Sequence, residues 1–175
     1  FWPMLLSAQS LATYLAQLHR SAGTHAGAYV RAIRDLVGSG EGIAGIADGY
    51  PADTPGAPRS RLQSIERSCL EWRFRLRDRT ERLRRTHGDF HPFNLVFDDK
   101  NTLIVLDSSR GCEGDPADDV ACLSINYLFF GVEHRPLWSS GLGQLWERFF
   151  STYLETVADD SVLDALAPFY AWRAL

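Results

Sequence analysis

His87-Gly88-Asp89-Phe90-His91-Pro92-Phe93-Asn94 decides how this chain reads. The octapeptide holds one carboxylate, Asp89, five residues before an amide, Asn94. Gly88 permits a tight backbone ahead of the carboxylate, and Pro92 stiffens the exit. A polar loop of this composition, set between regular elements, is where catalytic groups tend to lie.

Working outward, two short apolar runs follow, Leu95-Val96-Phe97 and Leu103-Ile104-Val105-Leu106. Asp98-Asp99-Lys100-Asn101 between them is turn chemistry, so the runs are predicted to form a β-hairpin. A second carboxylate, Asp107, closes the second run. Phosphoryl transfer from a nucleotide needs such a set: a base for the acceptor hydroxyl, and oxygen ligands for the magnesium that neutralises the phosphates. Asp89 is the candidate base. Asn94 and Asp107 offer the hard oxygens that suit magnesium.

The run HGDFHPFN, then NLVF…LIVLDSSRG, then GDPADDVA resembles the aminoglycoside phosphotransferase family, with its choline kinase-like relatives, within the protein-kinase-like fold. The resemblance is close from His87 to about Gly131 and looser over the Leu11–Arg20 helix, with its LATYLAQLH. It implies an α+β, mostly helical fold: the C-terminal lobe of a protein-kinase-like fold with a small hairpin at the catalytic site. It implies Asp89 as catalytic base, Asn94 and Asp107 as magnesium ligands, and His87 as a loop-shaping residue. Asp119 would brace the catalytic loop from a helix that Gly114-Asp115-Pro116 leads into; Asp118 lies beside it. ATP and Mg2+ are the implied cofactors, with GTP open as the nucleotide. The implied partner is a small molecule bearing a hydroxyl.

Two departures from protein kinases sharpen this. Gly88 stands where an arginine would precede the catalytic aspartate, so control through that arginine is not expected. Asp107 to Asp115 is also too short for a peptide-docking loop, which points to a small acceptor. One departure concerns the family itself. Before His87 there is no set of Gly-rich loop, strand lysine and helix glutamate, and Lys100 is the chain's single lysine. The lobe that grips ATP is therefore expected to be absent. The chain is read as one domain, residues 1–175, cut at both ends and inactive by itself.

The 175 residues suffice for one domain with a real core. A net charge of -4 argues against a nucleic-acid polymer, whose binders carry a basic footprint. No apolar run is long enough for a bilayer, and the start lacks signal-peptide features. Three cysteines, Cys69, Cys112 and Cys122, form no disulfide framework or zinc spacing, so idle thiols in a cytoplasmic protein are expected. The acidic residues Asp89, Asp107, Glu113, Asp115, Asp118 and Asp119 are expected around the site. They would serve magnesium or a cationic acceptor, or simply cap helices.

The apolar periods predict helices through Leu11–Leu18, Tyr29–Val37 and, long and arginine-rich, about Arg59–Arg82. Ser7 or Ser10 would cap the first. Residues 38–58 read as a surface loop. Further helices are expected near Ala117–Phe130, Leu142–Val157 and from Val162. Trp2, Trp138, Trp146 and Trp172 fall in apolar patterns and are expected to pack; His19, His25 and His134 are expected to be structural or exposed. Two other functions stay open on the residues alone. One is a non-catalytic kinase-like binding lobe. The other is a metal-dependent hydrolase built on His87-x-Asp89-x-His91.

Overall fold

The computed structural model describes residues 2–108 and 113–175, without the side chains of Trp2 and Pro3. The expected packing of Trp2, the thiol of Cys112 and residues 109–112 of the motif lie outside the described residues.

The first half is four helices, α1 (Trp2–His19), α2 (Ala26–Gly38), α3 (Ile43–Gly49) and α4 (Arg59–Leu76). A 3-10 turn, Thr80–Arg82, leads to the His87–Asn94 stretch, and a second, Pro92–Asn94, closes it. The hairpin follows, β1 (Leu95–Phe97) antiparallel to β2 (Leu103–Val105), in the register Leu95↔Val105 and Phe97↔Leu103. Asp98 closes its turn by accepting the amides of Lys100 and Thr102. The second half is α5 (Pro116–Glu133), the single turn α6 (Arg135–Leu137), α7 (Gly143–Val157) and α8 (Val162–Ala174). The architecture is the α+β, mostly helical one expected.

Three local expectations are corrected. The first helix starts well before Leu11, so Ser7 and Ser10 lie inside it; Ser10 bonds back to the Leu6 carbonyl. The segment 38–58 contains α3. Its glycines suppress the apolar period, but they permit a close approach: a β-carbon on Gly45 would strike the Gly40 carbonyl. The fourth helix stops at Leu76, not Arg82. The break and the 3-10 turn after it carry Arg82 inward, where it is buried.

α1 packs along α7, and α5 along α8. The shared core holds Leu15, Tyr29, Ile33, Phe90, Val120, Phe149 and Tyr153, all almost solvent-free. Phe90 belongs to this core and to the His87–Asn94 loop at once. It stacks on Tyr14 and meets His87 edge-on. Burying such a ring contributes roughly 1.5–3 kcal/mol, so the loop is anchored from its middle.

Trp146 packs on Trp138 and Phe150, as expected of the tryptophans. Cys69 and Cys122 are buried and unpaired by disulfide. Burial pushes both thiols up, which leaves them inert. No helix among the described residues is long and apolar enough to cross a membrane.

Candidate active site

The loop from His87 to Asn94 is shaped by three supports. Gly88 has φ +85°, a left-handed conformation that side chains disfavour and glycine adopts freely. Asp119, on the first turn of α5 and fully buried, accepts the amides of His87 (2.6 Å) and Gly88 (2.7 Å). Its position is set from behind by His19, whose Nε2 donates to Asp119 at 3.1 Å while its Nδ1 shares a hydrogen bond with the Tyr153 hydroxyl at 2.8 Å. The third support is His87 itself. Its Nε2 donates to the Leu106 carbonyl at 2.9 Å, and its Nδ1 accepts the Asp89 amide at 3.3 Å. The ring thus joins the loop to the end of the hairpin.

Asn94 donates its side-chain amide to the Asp89 carbonyl at 3.0 Å. This orients the amide, with its oxygen as the atom remaining for a cation. The Asn94 carbonyl also accepts the Leu106 amide at 2.8 Å, one step beyond the Leu95↔Val105 pair. The hairpin therefore brings Asn94 beside the residue that precedes Asp107. Asp107 has φ +50°, which is uncommon but best tolerated by Asp, Asn and Gly. One amide oxygen and one carboxylate are a hard donor pair that fits magnesium, whose remaining positions phosphates and water usually fill. Among the described residues no group of three His, Cys, Asp or Glu side chains could hold a metal on its own.

The metal-hydrolase alternative loses its main ligand here. Both ring nitrogens of His87 are engaged inside the protein, and the ring is buried. His91 accepts the Phe93 amide through Nδ1 and has Nε2 3.4 Å from Asp89. A ligand pair of His87 and His91 would have to break this arrangement.

The expected acidic cleft is also reordered, because its carboxylates have internal partners, Asp89 among them with His91 and Arg173. Glu113 accepts the amide and hydroxyl of Thr24, both at 2.7 Å, and these bonds hold its carboxyl below the usual range. Asp115 caps α5 through the Ala117 amide and takes a two-pronged bond from buried Arg82 at 2.7 and 2.8 Å. The Tyr29 hydroxyl donates to it as well. Asp119 holds the loop. Asp118, although beside Asp119 in sequence, points elsewhere and pairs with Arg173 at 2.9 Å. Burial pushes the Asp118 carboxyl up to about 7, against the opposing charge of Arg173, with Asp119 reinforcing the rise.

Three contributors escaped the sequence reading: His19, Arg82 and Arg173. His19 closes the LATYLAQLH stretch, so its place at the end of an apolar face was a usable signal. Arg82 was hidden among the arginines of one long expected helix. Arg173 stood alone in the apolar run Phe169–Leu175, where a guanidinium is costly unless paired. The other histidines match their expected bland roles: His25 precedes α2 without capping it, and His134 ends α5.

Comparison with known proteins agrees with this geometry. Residues 7–159 match the model of APH, the phosphotransferase enzyme family. In fold the chain is similar to aminoglycoside phosphotransferase APH(3'')-Id from Streptomyces rimosus solved with ADP and streptomycin, at TM-score 0.58 and 19% identity. That match covers 97% of this chain and 62% of the other. A second structure of the same enzyme matches at TM-score 0.51 and 20% identity, over 95% and 63%. The chain thus spans less than two thirds of the length of these neighbours. No curated protein matches. With the loop, hairpin and α5 arranged as above and the family model covering most of its length, the chain belongs to the phosphotransferase enzyme family.

Proposed function

We propose that this chain is the catalytic lobe of a small-molecule kinase that transfers the γ-phosphoryl group of ATP to a hydroxyl, with Mg2+. The observation that carries the reading is the joint placement of Asp89, Asn94 and Asp107 by one buried-anchored loop and one hairpin. Asn94, through its side-chain oxygen, and Asp107, through its carboxylate, would hold magnesium, which would supply neutralisation of the phosphate charge. Asp89 orients the acceptor hydroxyl and receives its proton as the oxygen bonds to phosphorus. The bond from the γ-phosphorus to the β-γ bridging oxygen breaks, and ADP leaves. His87 and Asp119 hold the loop while this occurs and exchange no proton with the substrate.

The outward face of the hairpin supports a place for the nucleotide. Val96 and Ile104 are cross-strand partners and both are about half exposed, as is Leu106 beyond them. Such an apolar strip beside the metal ligands suits a purine base. The neighbour from Streptomyces rimosus was solved with ADP and streptomycin, which supports a nucleotide and a small polar acceptor for this chain also. A cytoplasmic setting, where ATP is abundant, completes the reading.

The test uses the full-length gene product, γ-labelled ATP, Mg2+ and a panel of aminoglycosides, amino sugars and choline-like alcohols. Label should move to one acceptor class and stop on chelation. Asp107→Asn should raise the Mg2+ concentration for half-maximal rate about tenfold or more, as loss of an anionic ligand from a hard site implies. No transfer to any acceptor and no binding of magnesium-ATP would return the chain to the non-catalytic binding lobe.

A further inference from the structure

We propose that Arg173, on the last turn of α8, is a positioning residue for Asp89; the inference rests on the kinase reading above. Its Nη1 donates to the Asp89 Oδ1 at 3.2 Å. Its Nη2 donates to the Gly88 carbonyl at 3.1 Å and to the Asp118 Oδ1 at 2.9 Å. One planar group thus holds the candidate base, the peptide immediately before it and the first turn of α5. The side chain is 14% exposed, so these contacts are largely screened from water. The family match ends at residue 159, and Arg173 lies beyond it.

The guanidinium is itself held in plane. It lies 4.1 Å from the centre of the Trp172 ring, a cation–π distance. The Trp172 indole N–H donates to the Glu41 carbonyl at 2.8 Å, which fixes the ring. The chain around Arg173 is apolar, Phe169, Tyr170, Ala171, Trp172, Ala174 and Leu175. A buried guanidinium there is stable only because two carboxylates and a carbonyl face it. A lysine is a point charge without the fork, so it cannot reach all three acceptors in one geometry.

Arg173 therefore fixes the side-chain direction of Asp89 relative to the loop backbone. Other contacts of Asp89 act beside it. Small displacement of a catalytic group costs turnover far more than binding. The expected signature is a kcat effect with nucleotide affinity unchanged.

The test measures ADP release from magnesium-ATP by the full-length protein, with water and with each acceptor of the panel above, streptomycin included. The wild type is compared with Arg173→Ala, Arg173→Lys and Asp89→Asn, each checked for folding by circular dichroism. Arg173→Ala should lower kcat by about tenfold to a hundredfold and leave KM for ATP within about twofold. Arg173→Lys should keep most of that defect. Added guanidinium ion should partly restore Arg173→Ala and do nothing for Asp89→Asn, a response that a purely structural role would not show. A folded Arg173→Ala or Arg173→Lys protein with kcat within about twofold of wild type overturns the proposal. If Arg173→Ala does not fold, Arg173→Lys decides by the same criterion. A wild type that neither binds magnesium-ATP nor transfers phosphate to water or to any acceptor of the panel, or an Asp89→Asn protein as active as wild type, overturns the kinase reading itself. That result is distinct from failure at Arg173.

Discussion

Asp118 shows how burial and pairing compete at a single residue. Arg173 lowers its carboxyl, yet burial wins and Asp119 adds to it, so the value stands near 7 against an ordinary 3.8. Below about pH 4 the carboxyl is neutral in folded and unfolded chains, and its contribution to stability is fully present. As pH rises toward 7 the unfolded chain ionises first, so stability is lost, by at most about 1.4 kcal/mol per pH unit. Above the folded value the loss levels off. Asp118→Asn removes this slope while retaining an oxygen for Arg173. Urea denaturation of both proteins from about pH 4 to about pH 8 should show the variant gaining on wild type as pH rises. Carboxyls with lowered values, such as Glu113 and Asp159, act in the opposite sense at lower pH and are common to both proteins. Parallel curves would show that Asp118 is not the group whose ionisation opposes folding.

At the scale of elements, the start of α5 organises the lobe. Within five residues it supplies the cap Asp115, the Arg173 partner Asp118 and the loop holder Asp119. The Gly-Asp-Pro turn announces this start, because Asp favours the cap position and Pro the first helical one. Asp115 does more than cap, since it also neutralises buried Arg82. Asp115→Ala should cost about 3–5 kcal/mol, because it leaves a guanidinium buried without its carboxylate. Thermal or urea unfolding reads this directly. A loss of only about 1 kcal/mol would reduce Asp115 to an ordinary cap. The misread elements have physical reasons. The period of α3 is diluted by glycines, of which packing requires Gly45, and the break after α4 carries Arg82 to its distant partner Asp115. The second cause is not local, so it is not visible in local sequence.

For the whole molecule, the fold class and the placement of the loop against the hairpin were legible. Both rest on short-range rules, strand alternation, turn residues and helix periods. The supports of the loop were less so. His19, Arg82 and Arg173 reach their partners across 100, 33 and 84 positions of chain, and only folding reveals such pairs. The resulting lobe presents the proposed base Asp89 and the proposed metal donors Asn94 and Asp107 next to an exposed apolar strip. The fold neighbours are longer, with this chain matching 62–63% of their length. Under the proposed function, catalysis would belong to this lobe and nucleotide grip chiefly to the part of such enzymes that this chain does not match.

The most direct measurement is phosphoryl transfer by full-length wild type and Asp89→Asn, side by side, under saturating magnesium-ATP. The account predicts that the variant folds, retains nucleotide binding and loses on the order of a hundredfold or more in kcat, the worth of a positioned base. A folded Asp89→Asn protein that transfers phosphate at the wild-type rate would contradict it.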